Sequence, residues 1–93
     1  MKIYYTIRAK RDVDLAYEWY ESQHEGLGTK FLNSIETSLS KITSYPDMYP
    51  ILFQVFHRCL IKTFPFSVFY TKEKNKIIIH AVFDNRLDPE KRP

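Results

Sequence analysis

Phe64-Pro65-Phe66-Ser67-Val68-Phe69-Tyr70-Thr71-Lys72, then Glu73-Lys74-Asn75, then Lys76-Ile77-Ile78-Ile79-His80-Ala81-Val82-Phe83, is the stretch that decides how this chain folds. Two runs rich in β-branched and aromatic residues flank a short polar turn, which is the pattern of an antiparallel hairpin. A third such run lies just upstream, around Phe56 to Ile61, and is cut off from the hairpin by Phe64-Pro65. Strands are therefore expected at 54–62, 66–72 and 76–83, forming a meander.

Towards the N-terminus the period changes. Leu27, Phe31, Ile35, Leu39 and Ile42 recur at steps of three and four, while Lys30, Asn33, Glu36, Thr37, Ser40 and Lys41 occupy other faces, which predicts an amphipathic helix. Pro46 and Pro50 end it, and the segment through Met48, Tyr49, Ile51 and Phe53 is expected as an irregular extended connection. A preceding helix is expected from Ala9, with Val13, Ala16, Tyr17 and Tyr20 inward and Leu15 and Trp19 widening the stripe. It stops before Gly26-Leu27-Gly28, which reads as a tight reversal. Residues 2–8, Lys-Ile-Tyr-Tyr-Thr-Ile-Arg, read as a first strand that pairs beside a later one rather than stand as an isolated edge.

The order β-α-α-β-β-β describes an α+β fold, a single domain over residues 1–93, with a helical hairpin on one face of a small, mainly antiparallel sheet. The other face is left for function. A chain of 93 residues buries only about 60 to 65% of its unfolded surface, so its core must be rich. Seven tyrosines, seven phenylalanines and one tryptophan supply it. No run is apolar and long enough for a membrane span or a signal peptide, so the expected location is cytoplasmic.

Net charge is +3, unevenly placed: residues 1–53 carry six Lys or Arg against seven acids, residues 54–93 eight against four. The basic half is the sheet half, which suits a polyanionic partner, either nucleic acid or an acidic protein segment.

The candidates for chemistry are few. Cys59 alone cannot form an internal disulfide and reads as a small buried hydrophobe, and the histidines and Cys59 lack the close spacings of a metal site, so neither metal nor cofactor is expected. His24 reads as a helix C-terminal cap. His57 and Arg58 are adjacent on a strand and point to opposite faces. By alternation His80 shares a face with Ile78 and Val82. On the open face it could approach Arg58 and Arg86; on the covered face it is a hydrogen-bonded core residue, and a core or edge role is expected here.

Taken together, Ala9-x-x-Asp12-x-x-x-Ala16-x-x-x-Tyr20, Gly26-Leu27-Gly28-x-x-Phe31, Pro46, Arg58, Phe64-Pro65-Phe66-x-Val68-x-Tyr70, Ala81-Val82-Phe83 and Arg86-x-Asp88-Pro89 resemble the RelE/ParE superfamily of type II toxin-antitoxin toxins. The Gly-Leu-Gly turn, the Phe-Pro-aromatic element and Arg-x-Asp-Pro look closer to its ParE-like, plasmid-stabilisation branch. The resemblance implies a toxin neutralised by a co-encoded acidic antitoxin that wraps around it; the apolar residues Met48, Tyr49, Ile51 and Phe53 of the irregular connection are candidate antitoxin anchors, with closing the bottom of the core the role expected for at least half of them. It implies either a gyrase inhibitor, as in ParE-type members, or a ribosome-dependent mRNA endoribonuclease, as in RelE-type members. Arg58 and Arg86 carry over by position as target- or phosphate-binding arginines; as structural alternatives, Arg58 could pair with an acid on the helical hairpin and Arg86 could tie the tail through Asp84 or Asp88. Under the endoribonuclease alternative Arg58, Arg86 and His80 would be catalytic. RelE-type enzymes generally add a Tyr or His beyond the C-terminal arginine, whereas here Leu87-Asp88-Pro89-Glu90-Lys91-Arg92-Pro93 follows it. That absence favours inhibition by binding, with a non-toxic protein-binding domain as a further alternative.

Overall fold

Thr6 ends the first strand earlier than its β-branched neighbours suggest. In the computed structural model, which describes residues 1–93, β1 spans Lys2–Tyr5 and α1 runs from Ile7 to Gln23. The Thr6 hydroxyl oxygen accepts the Ala9 N–H at 3.1 Å and donates to the His80 carbonyl at 3.1 Å. A threonine that satisfies an otherwise orphaned helix N–H outweighs the strand preference of Thr6, Ile7 and Arg8, so the strand expected over 2–8 is cut to four residues.

Helix α1 buries Ala9, Ala16 and Tyr20 but not Leu15 and Trp19, which are more than half exposed, so its inward stripe is narrower than expected. His24 caps its C-terminus, its backbone N–H donating to the Tyr20 carbonyl. Gly26 takes the left-handed conformation at φ +86°, and α2 follows at once from Leu27 to Ser44. Gly28 is inside that helix rather than in the turn. A Cβ there would sit 2.8 Å from the Tyr17 carbonyl oxygen, so glycine lets the two helices touch. The Glu21 carboxylate accepts the N–H groups of Gly26 and Gly28, each at 3.0 Å, and so supplies the acceptor that α2 lacks at its own N-cap.

The connection read as irregular contains a strand. β2 covers Ile51–Phe53, Gln54 turns the chain at φ +49°, and β3 covers Phe56–Leu60, in place of one strand over 54–62. β4 (Phe66–Glu73) and β5 (Lys76–Asp84) form the hairpin as expected. The five strands lie in the order β1-β5-β4-β3-β2, antiparallel except for β1, which runs parallel to β5 from Lys2 opposite Lys76 to Tyr5 opposite Ile79. A short 3-10 helix, α3, spans Pro89–Lys91.

The hairpin contains a β-bulge. Tyr70 pairs with Ile79 but Phe69 pairs with Ala81, leaving His80 as the extra residue. The bulge resets the alternation: Ile77, Ile79 and Val82 join the main core under the helices, while Ala81 and Phe83 belong to a second cluster on the opposite face. The main core packs Phe31, Ile35 and Ile42 of α2 and Tyr20 of α1 onto Val68, Tyr70 and Ile79. Each fully buried ring such as Phe31 or Phe69 contributes about 1.5–3 kcal/mol. The Tyr70 hydroxyl donates to the Pro46 carbonyl at 2.6 Å, holding the end of α2 against the sheet. No helix is long and apolar enough to cross a membrane.

Candidate functional site

The face of the sheet away from the helices carries a small apolar floor, Phe69, Ala81 and Phe83, extended by Phe53 and Phe56. Arg58 rises from β3 directly opposite Phe69 and takes part in no ion pair and no side-chain hydrogen bond. Its strand neighbours turn the other way, as alternation requires: the His57 ring stacks on Tyr70 at 4.8 Å with Nδ1 2.7 Å from the Tyr49 carbonyl oxygen, and Cys59 is buried in the main core. Burial raises the Cys59 thiol pKa, and burial together with a hydrogen bond donated to Cys59 pushes the Tyr49 phenol up to about 12. Neither is activated as a nucleophile.

His80 lies on the open face, sharing it with Ile78 but not with Val82. The core role and the face-sharing with Val82 expected for it are thereby corrected: His80 follows inward Ile79 by alternation, and the unpaired residue shifts everything after it to the other face, so Val82 turns inward. Its Nε2 is 2.7 Å from the Thr71 hydroxyl, and its ring stands edge-on to Phe56 at 5.1 Å. Burial lowers its pKa, opposed by the nearby Glu73 charge.

Arg86 is elsewhere. Its guanidinium grips Asp84 through Nε–Oδ1 at 2.9 Å and Nη2–Oδ2 at 2.8 Å, and the Arg86 backbone N–H donates to the same carboxylate. These hydrogen bonds hold the Asp84 carboxyl below the usual aspartate range. Arg86 lines a groove of about 500 Å³ between α1 and the end of β5, together with Arg8, Leu15, Trp19, Leu87 and Lys91. Arg58 and His80 thus share the open face without touching, with Phe56 against His80 and Phe69 beside Arg58, and Arg86 joins neither. Of the expected antitoxin contacts, Met48 and Ile51 are exposed, whereas Tyr49 packs against the main core and Phe53 against the apolar floor.

Two residues of this region have no role in the sequence reading, although Asp12 belongs to the family pattern. Asp12 accepts the Val82 N–H at 3.1 Å, on the edge of β5 that β1 no longer covers beyond Ile79, and lies 3.7 Å from Arg8. Desolvation raises its pKa, partly offset by the Val82 hydrogen bond and then by Arg8. The signal was present, because Asp12 lies on the same side of the helix as the small residues Ala9 and Ala16, where an acid has to find a donor. Arg92 is the other, its guanidinium 5.7 Å from the centre of the Phe69 ring. No local pattern marks it.

Set against known proteins, residues 3–89 match the family model described as the ParE toxin of the type II toxin-antitoxin system, parDE. Among solved structures the fold resembles a chain titled "Chromosomal ParDE TA system from P. aeruginosa", with a TM-score of 0.71 at 16% identity, covering 90% of this chain and 95% of that one. A search of curated proteins returned no match. With a five-stranded sheet under a helical hairpin, and a family match that runs from the first strand to the start of α3, the chain belongs to the ParE toxin family of type II toxin-antitoxin systems.

Proposed function

We propose that this toxin acts by binding DNA gyrase and blocking it, without chemistry of its own, and that a co-encoded acidic antitoxin holds it in check in the cytoplasm, the arrangement of a plasmid-stabilisation pair. The observation that carries the reading is the dispersal of the residues on which cleavage would depend. Cleaving RNA through its 2′-hydroxyl requires a proton acceptor, a cation for the transition-state charge and a proton donor, all within reach of one phosphate. Here Arg86 is held by Asp84 in the α1 groove, and His80 is hydrogen-bonded to Thr71 against Phe56. Arg58 is left as an unpaired cation on an apolar face, a feature suited to recognition.

The antitoxin reading is supported by a second surface. Leu15, Trp19 and Leu87 are about half exposed in the groove between α1 and β5, with Arg8 and Lys91 at its margin. Exposed Met48 and Ile51 add apolar area at the β2 edge. An amphipathic segment with acidic flanks fits both.

The test is to assay the purified chain, free of partner, side by side for loss of gyrase supercoiling and for ribosome-dependent transcript cleavage. Loss of supercoiling alone is the expected result. Transcript cleavage would overturn the reading in favour of an endoribonuclease built on Arg58 and His80, and silence in both assays would make the chain a toxin-derived binding domain.

A further inference from the structure

One long tract of this chain is nearly free of negative charge. Between Asp47 and Glu73 there is no acid at all, and Asp47 itself is taken up by Lys72 at 2.9 Å. Helix α2 carries a single acid, Glu36. Burial, and then the Glu36 charge, raises the Tyr5 pKa, which places that acid towards β1. On another side of the same helix Lys30, Ser34, Thr37 and Lys41 follow one another at steps of four, three and four. They form one polar stripe, about 16 Å from the first lysine to the last.

Beside the stripe lie two hollows of about 430 and 220 Å³, which share Asn33, Ser34 and Thr63 and so form one groove between α2 and the β3–β4 turn. Lys30 lines one end, Lys41 and Lys62 the other, and none of the three is in an ion pair. No carboxylate lines this groove. By contrast, Asp12 and Asp84 line the α1 groove, Glu73 the hollow beside His80, and Glu90 the trough between β2 and the tail. Three uncompensated ammonium groups spread along one groove favour a partner charged at several points. The walls select its kind. An acidic peptide anchors through apolar side chains, and a single nucleic-acid strand stacks its bases on exposed rings. Here Leu27, Tyr49 and Phe64 are packed against the main core, and Leu60 is the one exposed apolar side chain of the lining. Ammonium, amide and hydroxyl groups remain, the set that holds the phosphates of a duplex without reading its bases.

We propose that the groove between α2 and the β3–β4 turn binds the backbone of a nucleic-acid duplex, with Lys30, Lys41 and Lys62 each neutralising one phosphate. The contact is independent of base sequence. It is measured without gyrase, so its failure and the failure of the gyrase reading are separable.

Fluorescence anisotropy of a labelled mixed-sequence DNA duplex, titrated with the intact chain over a range of salt concentrations, tests it. Three phosphate contacts give a slope of about −2.7 in log K against log salt, so affinity falls roughly forty-fold between about 50 and 200 mM. Lys30→Gln, Lys41→Gln and Lys62→Gln each reduce that slope by about 0.9, and the triple variant loses the salt-dependent binding. A charge-matched triple variant at the other edge of the sheet, Lys2→Gln, Lys74→Gln, Lys76→Gln, keeps the wild-type slope. The three groove lysines are exposed, so their variants keep the fold, as thermal melts check; should the triple variant melt early, the single variants decide. The proposal is overturned if the duplex does not bind at the lowest salt, or if the slope is the same in the groove variants as in wild type. It is overturned equally if the control triple loses as much as the groove triple, or if oligothymidylate or a polyglutamate peptide binds more tightly than the duplex.

Discussion

Replacing Asp12 with alanine removes the acceptor of a backbone N–H that has no strand beside it. Val82 is only 2% exposed, so its freed N–H is left unsatisfied, at a cost of about 1–3 kcal/mol. The Arg8 pair, 3.7 Å long and with its guanidinium side 43% exposed, adds at most about 0.5 kcal/mol. The sum is roughly 2 kcal/mol, which for a domain of this size lowers Tm by about 8–16 °C. Asp12→Asn separates acceptor from charge. Because desolvation raises the Asp12 pKa, the folded state binds its proton more readily than the unfolded state does, and stability falls as pH rises from the unfolded value near 3.9 through the folded one. The ionised carboxylate is therefore a cost at neutral pH, and asparagine, neutral and still an acceptor, stays within about 1 kcal/mol of wild type. Thermal and urea melts by circular dichroism at pH 7 read both variants. If Asp12→Ala and Asp12→Asn proved equally stable, the Val82 hydrogen bond would not be what Asp12 contributes.

Gly28→Ala places a methyl 2.8 Å from the Tyr17 carbonyl and 2.9 Å from Glu21 Oε1, and costs about 1–3 kcal/mol of overpacking in a denaturant melt, while fluorescence of Trp19 reports whether the hairpin has moved. His80, with its folded pKa lowered chiefly by burial, resists protonation. Its contribution is complete above the unfolded value near 6.5 and is lost as pH falls towards the lower folded value, so His80→Asn flattens the stability–pH curve in that window. Arg86→Gln returns the Asp84 carboxyl to the ordinary aspartate range in a carbon-13 titration. The pair's stabilisation is present above about 3.9 and lost as pH falls through the lowered Asp84 value, and because Arg86 is exposed the melting temperature barely changes.

Strong periodicity made most of the fold legible. The i, i+4 ladder from Leu27 to Ile42 located α2, and the β-branched and aromatic runs either side of Lys74-Asn75 located the hairpin. Three features were settled by tertiary geometry instead. Thr6 caps a helix because its hydroxyl meets Ala9 and His80 together, and the second of those lies 74 residues away in sequence. Ile51–Phe53 is a strand because β3 offers it an edge, although Pro50 and a run of only three residues carry little local signal. The bulge between Phe69 and Tyr70 has no glycine to announce it, yet it alone separates His80 from Val82, which turns into the core. Site residues were legible to a similar degree: alternation puts His57 and Arg58 on opposite faces, and Asp84, two residues from Arg86, is the partner expected for a structural role of that arginine, whereas the seat of Arg92 on Phe69 depends on where the chain returns after α3.

The central claim is that the toxin works by binding through its open face and needs no proton transfer. The most direct measurement is the concentration of purified chain that half-inhibits gyrase supercoiling, compared between the Arg58→Ala variant and the double variant His80→Asn, Arg86→Gln. The account predicts that the double variant inhibits within about twofold of wild type, whereas Arg58→Ala, still folded, is weakened at least roughly tenfold, the equivalent of about 1.4 kcal/mol. Full inhibition by Arg58→Ala, or no inhibition of gyrase by the wild-type chain, would contradict it.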